Sequence, residues 1–244
     1  AHRIHQVCAQ VFRYAVATGR ADADPTAALR GALKAPVREN QAAVKPAEVP
    51  QLLRDIDQYP GLADTTRIGL QLLALTMVRT IELRGARWDE LDLDAGMWVI
   101  PKERMKMREP HHVPLSRQAV QAFRRLREIN GHREFVFPGE RDPKRPMSEN
   151  AMLYALHRMG YKGRMTGHGF RAVASTMLNE CGFRADVIER QLAHSERDKV
   201  RAAYNRAEYL PERTKMLQAW ADMLDAMRHD GASKVARLRR KVAA

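Results

Sequence analysis

The sequence predicts a mainly α, α+β fold: a helix-rich domain carrying one small antiparallel β-sheet, preceded by a partial helical domain. Three observations predict it. Apolar residues recur at the helical period through most of residues 49–229. Three short apolar segments, separated by turn residues, interrupt that pattern between Trp88 and Leu115. An isolated helical stripe near the start has too little chain around it to enclose a core of its own.

That stripe is Ile4, Val7, Cys8, Val11, Phe12, Ala15 and Val16, one face of a helix over residues 2–18 that is expected to be buried, with Gly19 as its stop signal. ADADPTAAL then turns into a short second helix. A helix and a half needs a surface to dock on, either the next domain or chain beyond this segment. Residues 35–50 are rich in Pro, Ala, Val and charge without periodicity, and read as a linker centred on residues 37–48.

A short amphipathic helix follows at Val49–Gln58, then a longer buried one over residues 67–77 through Leu70, Leu73, Ala74 and Met77. Residues 88–93, 97–101 and 111–115 are the strands of the sheet. His111 and His112 are adjacent in a strand and point to opposite faces, which argues against a metal pair. Residues 116–130 return to helix, opened by a Ser116 cap and closed by Asn130-Gly131. Further helices fit residues 148–159, 168–181, 184–192 and 211–229, the last with Met216, Leu217, Trp220, Met223, Leu224 and Met227 on one broad face. Residues 49–230 thus form the main domain and 231–244 a basic tail, free to touch a polyanion or stay disordered.

Charge narrows the partner. Lys+Arg 42 against Asp+Glu 29 leaves a formal net charge of +13 across 244 residues. Such an excess favours a nucleic acid. Cys8 and Cys181 lie too far apart for a disulfide framework or a CxxC site, so a reducing compartment is the expectation. No run of about 18 apolar residues and no signal-peptide pattern occurs, so the chain is expected to be cytoplasmic, with no membrane partner.

Six residues carry the chemistry: Arg79 in VRTIELRGARWDEL, Lys106 in RMKMREPHHVPL, His168 and Arg171 in TGHGFRA, His194 in QLAHSERD, and Tyr204 in RAAYNRAEYL. Together they are what metal-free attack on a phosphodiester requires. Each arginine can fork onto non-bridging phosphate oxygens and neutralise charge that grows in the transition state. Lysine is a compact donor for a leaving alkoxide, and tyrosine offers a phenolic oxygen as covalent nucleophile. The histidines can donate to the phosphate or help remove the tyrosine proton. GxxxxGK[ST], HExxH and clustered acidic sets are absent from the sequence, so neither cofactor nor catalytic metal is expected.

Lined up in this order, the residues resemble the tyrosine recombinases, and within them the prophage-type integrases. The resemblance implies a catalytic domain at 49–230 preceded, at 1–36, by the end of a helical core-binding domain. It implies that Arg79 and Arg171 hold the scissile phosphate, that Glu82 helps orient the surroundings of Arg79, and that His168 and His194 assist. Lys106 is preferred to Lys102 because the family's lysine leads a hairpin whose return strand ends in Val-Pro, here Val113-Pro114. Tyr204 is preferred to Tyr209 because the whole AAYNRAEYL string matches. Two positions depart from the family pattern: Met77 and Ala193 stand where relatives commonly have Gly.

The implied function is site-specific recombination of double-stranded DNA attachment sites through a 3′-phosphotyrosyl intermediate, integrating or excising a mobile element. The implied setting is a tetramer on DNA, nucleoid-associated, with accessory DNA-bending or excision proteins, and with part of the last helix's stripe in contact with a neighbouring subunit. Two alternatives stay open, a type IB topoisomerase-like rejoining activity and a DNA-binding fragment that does not cut.

Overall fold

The computed structural model describes residues 1–34, 42–60, 63–194 and 209–229. The chain divides into two compact units, Ala1–Asn40 and Gln41–Ala244.

In the first unit, helix α1 (His2–Ala17) ends in a left-handed Gly19 at φ 67°, and Arg20 N–H closes back on the Ala15 carbonyl at 2.8 Å. The predicted second helix is a single 3-10 turn, Ala27–Leu29. Of the α1 stripe, expected to need a docking surface, Ile4, Val7 and Val11 are exposed at 69%, 44% and 59% in this chain. One helix and one turn do not supply enough surface to cover an apolar face.

The second unit starts with α2 (Val49–Gln58), whose Leu52, Leu53 and Ile56 are buried, and α3 (Asp64–Thr76), buried along most of its length. A short α4 (Thr80–Arg84) leads into three antiparallel strands, β1 (Leu91–Asp92), β2 (Met97–Ile100) and β3 (His111–Pro114), in the order β1-β2-β3. Most of the predicted first strand is instead a 3-10 turn, Trp88–Glu90. Its Glu90 carboxylate turns inward to accept from Trp98 Nε1 (3.0 Å) and Arg104 Nη2 (2.5 Å). The β2–β3 register pairs Trp98 with Val113 and Ile100 with His111. Strand alternation buries His111 and leaves His112 half-buried on the other side.

Helix α5 (Arg117–Asn130) opens on Ser116, whose Oγ accepts the Ala119 N–H at 3.3 Å, and sets Phe123 edge-to-face on Trp98 with ring centroids 5.9 Å apart. The helix predicted over residues 148–159 is shorter: α6 (Ala151–Leu156) loosens into a π turn, His157–Tyr161, that includes a left-handed Gly160 at φ 86°. Helices α7 (Gly169–Glu180), α8 (Ala185–Gln191) and α9 (Leu210–His229) complete the unit.

Helix α9 packs on α2, α3, α8 and β3, and Trp220 Nε1 donates to the Ala74 carbonyl of α3 at 2.7 Å. All six apolar residues of its stripe are buried within this chain, at 2% exposure or less. The expectation that some of them face a neighbouring subunit is therefore corrected: the core of the chain itself takes the whole stripe.

Candidate active site

Helix α3 is stopped by Met77, which adopts left-handed backbone (φ 58°, ψ 18°) and redirects the chain into the extended Arg79 at the entrance to α4. Glu82, one turn into α4 and 2% exposed, clamps Arg79 twice: Oε2 accepts its backbone N–H and Oε1 accepts from Nη1, each at 2.7 Å. The second arm, Nη2, donates to the Ala193 carbonyl at 3.1 Å. Two fixed contacts leave the remaining guanidinium N–H groups of a partly exposed side chain available to a ligand.

Helix α7 begins at Gly169, so His168 stands at its N-cap and Arg171 in its first turn. Arg171 is 3% exposed. Its Nη1 donates to the Met77 carbonyl (2.5 Å) and its Nη2 to the Leu192 carbonyl (2.6 Å), while Nη2 also lies 3.2 Å from His194 Nε2. Its Nε is buried without a hydrogen-bond partner among the described residues. At the end of α8, Ala193 is left-handed (φ 47°), and His194 Nδ1 meets a Glu189 carboxylate oxygen at 2.5 Å. With Nδ1–H donated to that carboxylate, Nε2 is the ring nitrogen that faces Arg171.

The electrostatics are those of an anion site. Burial first, and then the neighbouring Arg79 charge, push Arg171 down to about 10. Loss of solvent and the charges of Arg171, Arg79 and His194 hold His168 below its ordinary value. Glu82 is the buried carboxylate that faces the pair, so positive potential is left over for a tetrahedral oxyanion. Among the described residues no group of three or more His, Cys, Asp or Glu is placed to hold a metal ion.

The structure thus brings Arg79, Glu82, His168, Arg171 and His194 together from α4, α7 and the turn after α8. Lys106 is not joined to them. It lies exposed in the β2–β3 connection, while Met105 beside it is buried and Arg104 anchors the hairpin base on the Glu82 carbonyl at 3.0 Å. Tyr204 lies outside the described residues. The competitor Tyr209 is half-buried beneath Arg184, its ring centroid 5.2 Å from the guanidinium carbon, and bonds the Asp186 carboxylate.

Behind the cluster lies a buried polar network that reading the sequence did not single out. Gln191, 0% exposed, donates from Nε2 to the Thr76 carbonyl (2.8 Å) and accepts from Nε (3.0 Å) and Nη2 (2.8 Å) of the fully buried Arg213. His111 Nε2 lies 3.1 Å from the Gln191 carbonyl. A signal was present: Gln191 and Arg213 each occupy a core position of an apolar helical face, where a polar residue needs a partner.

Residues 43–210 match the profile of the phage integrase family, and residues 1–32 that of the phage integrase central domain. The integrase of Enterobacteria phage P4 is 43% identical over 245 residues, covering 94% of this chain and 56% of that protein. The prophage integrase IntA of Escherichia coli (strain K12) is 40% identical over 224 residues, covering 92% of this chain and 54% of that protein. The chain therefore spans about half the length of these curated relatives. Among solved structures, a Tn1549 transposon integrase in complex with a circular intermediate DNA superposes with a TM-score of 0.61 at 14% identity, covering 98% of this chain and 78% of that one. A lambda integrase tetramer bound to a Holliday junction gives 0.57 at 17% identity, covering 84% and 58%. At these identities the likeness is one of fold.

Proposed function

Because the chain belongs to the phage integrase family, we propose that it cuts and rejoins DNA strands at attachment sites through a 3′-phosphotyrosyl intermediate on Tyr204. The observation that carries this reading is the convergence of Arg79, His168, Arg171 and His194 on one positively charged spot, with the Arg171 Nε unpaired among the described residues. In the proposed reaction the Tyr204 oxygen attacks the scissile phosphorus as the bond to the 5′-oxygen breaks. Arg79 and Arg171 take the non-bridging oxygens, where their charge stabilises the crowded, more anionic transition state. Glu82 fixes Arg79 without occupying its whole fork.

His168, lowered below its ordinary value, can accept or relay the phenolic proton, and His194, anchored on Glu189 through Nδ1, helps hold the Arg171 guanidinium on the phosphate through Nε2. Lys106 protonates the leaving 5′-oxygen; its exposed place in the β2–β3 connection calls for DNA to bring it in. The 5′-hydroxyl of a second strand then attacks the phosphotyrosine, restoring a phosphodiester and the free phenol, so no nucleotide cofactor is consumed.

The DNA complexes and the tetramer among the fold relatives support two further parts of the proposal, double-stranded DNA as partner and self-association on it. Residues 1–36 are assigned to the end of the core-binding domain, 37–48 to the linker, 49–230 to catalysis and 231–244 to a basic tail. Integration or excision of a mobile element, with accessory DNA-bending or excision proteins, is the biological setting proposed. No helix among the described residues is long and apolar enough to cross a membrane.

Nicked DNA from the ends of the element, incubated with the chain in EDTA, tests the proposal. A covalent protein–DNA band is expected from the wild type and none from Tyr204→Phe, with DNA affinity nearly intact. An undiminished band in the variant would remove Tyr204 from its role. Binding without any band would leave a DNA-binding fragment, and strand rejoining without exchange a topoisomerase-like activity.

A further inference from the structure

Two residues at the site adopt left-handed backbone although neither is glycine: Met77 at φ 58° and Ala193 at φ 47°. L side chains resist this conformation, and it persists where the surroundings demand it. At both positions it aims a carbonyl at an arginine. The Met77 carbonyl accepts from Arg171 Nη1 at 2.5 Å, and the Ala193 carbonyl from Arg79 Nη2 at 3.1 Å. Leu192, next to Ala193, takes the other arm of Arg171 at 2.6 Å. The braces cross, since the turn that leads into Arg79 holds Arg171, and the turn after α8 holds Arg79. Gln191 stitches the same two turns a third time through the Thr76 carbonyl at 2.8 Å.

We propose that Met77 and Ala193 are positioning residues whose left-handed backbones deliver the carbonyls that lock both guanidiniums in their phosphate-binding orientation. This rests on the strand-transfer reading above. The choice of acceptor has a physical reason. Arg79 already carries one carboxylate, Glu82; a further one at either arginine would orient it as well but cancel more of the pair's charge, whereas a carbonyl is neutral and leaves that charge for the phosphate. Arg171 is held by two carbonyls and a histidine nitrogen, none of them an anion. What positions 77 and 193 must supply is thus tolerance of positive φ, which glycine has and β-branched residues lack.

The test compares Ala193→Gly, which adopts this backbone freely, with Ala193→Val, which resists it, in the full chain. In the nicked-DNA assay the glycine variant is expected to form adduct faster than the valine variant by about tenfold or more, because displaced catalytic groups lose rate steeply. The valine variant should melt somewhat lower than the glycine variant, by the strain of one residue, while both stay folded and bind DNA at the assay temperature. Guanidinium ¹⁵N–¹H resonances of Arg79 and Arg171, resolved in the wild type and the glycine variant, should broaden toward averaged signals with valine. Should the valine variant fail to fold, Met77→Ile, which keeps buried volume but resists the same backbone, replaces it against wild type. Equal adduct rates and unchanged guanidinium resonances would overturn the proposal. A wild type that forms no adduct would defeat the strand-transfer reading, and the resonances alone would then decide the bracing.

Discussion

At the residue scale, burial and hydrogen bonding decide which polar groups matter. His111 is 4% exposed, with Arg213, Arg190 and Arg171 near enough to oppose its charge. Burial first, then those cations, push its ring down to about 3 from 6.5. Above pH 6.5 neither the folded nor the unfolded chain protonates this ring; between 6.5 and about 3 the unfolded chain binds a proton that the native state refuses. Stability therefore falls as pH drops through that window, by about 2–3 kcal/mol at roughly pH 4.5 from this group alone. His168, lowered in the same direction, adds the same sign. Urea titrations across the acid range should show this slope, and His111→Gln, which keeps a donor for the Gln191 carbonyl, should flatten it. An unchanged slope would remove His111 as its source.

The sequence made Arg79, Glu82, His168, Arg171 and His194 legible one by one, because each stands in a recognisable local string. It did not reveal what holds them, since the braces are backbone carbonyls whose donors lie up to |i−j|=114 away. Met77 and Ala193 could be seen as departures from glycine; that both keep a left-handed backbone could not.

At the scale of elements, the helical periodicity located α1, α2, α3, α5, α7, α8 and α9 to within a few residues, because one apolar stripe on each is long enough to read. It overran α6 at both ends: regular helix starts at Ala151 and gives way at His157 to the π turn that carries Gly160. The sheet was placed correctly, but its first strand shrank to two residues because Glu90 turns in toward Trp98 and Arg104. The α1 stripe shows that periodicity marks a sticky face without saying what covers it. Helix α9 carries the strongest element-level prediction. Trp220, 2% exposed, joins α9 to α3 both by packing and by its bond to the Ala74 carbonyl. Trp220→Ala should cost about 3–5 kcal/mol in chemical denaturation. A loss under about 1 kcal/mol, the scale of a surface change, would mean that α9 is not integral to the core.

At the scale of the whole molecule, the net charge of +13 predicts DNA binding dominated by counterion release. Neutralising about six or more phosphates should weaken binding by about 10³ or more between roughly 50 and 200 mM salt. Fluorescence anisotropy on labelled duplex would measure this, and salt-independent binding would contradict a phosphate-directed surface. Charge alone could not tell a reader of DNA from a cutter of it. The dispersed residues between 79 and 204 carry the proposed cutting, and the fold gathers those among the described residues except Lys106.

The covalent link itself offers the most direct measurement. Trypsin cuts after Arg201, Arg206 and Arg213, so Tyr204 and Tyr209 fall on separate peptides, residues 202–206 and 207–213. Digestion of the trapped, metal-free protein–DNA complex followed by mass spectrometry should find the 3′-nucleotide phosphate on the 202–206 peptide, at Tyr204. A nucleotide on the 207–213 peptide, or on any residue other than Tyr204, would contradict the assignment of the nucleophile and with it the reaction proposed here.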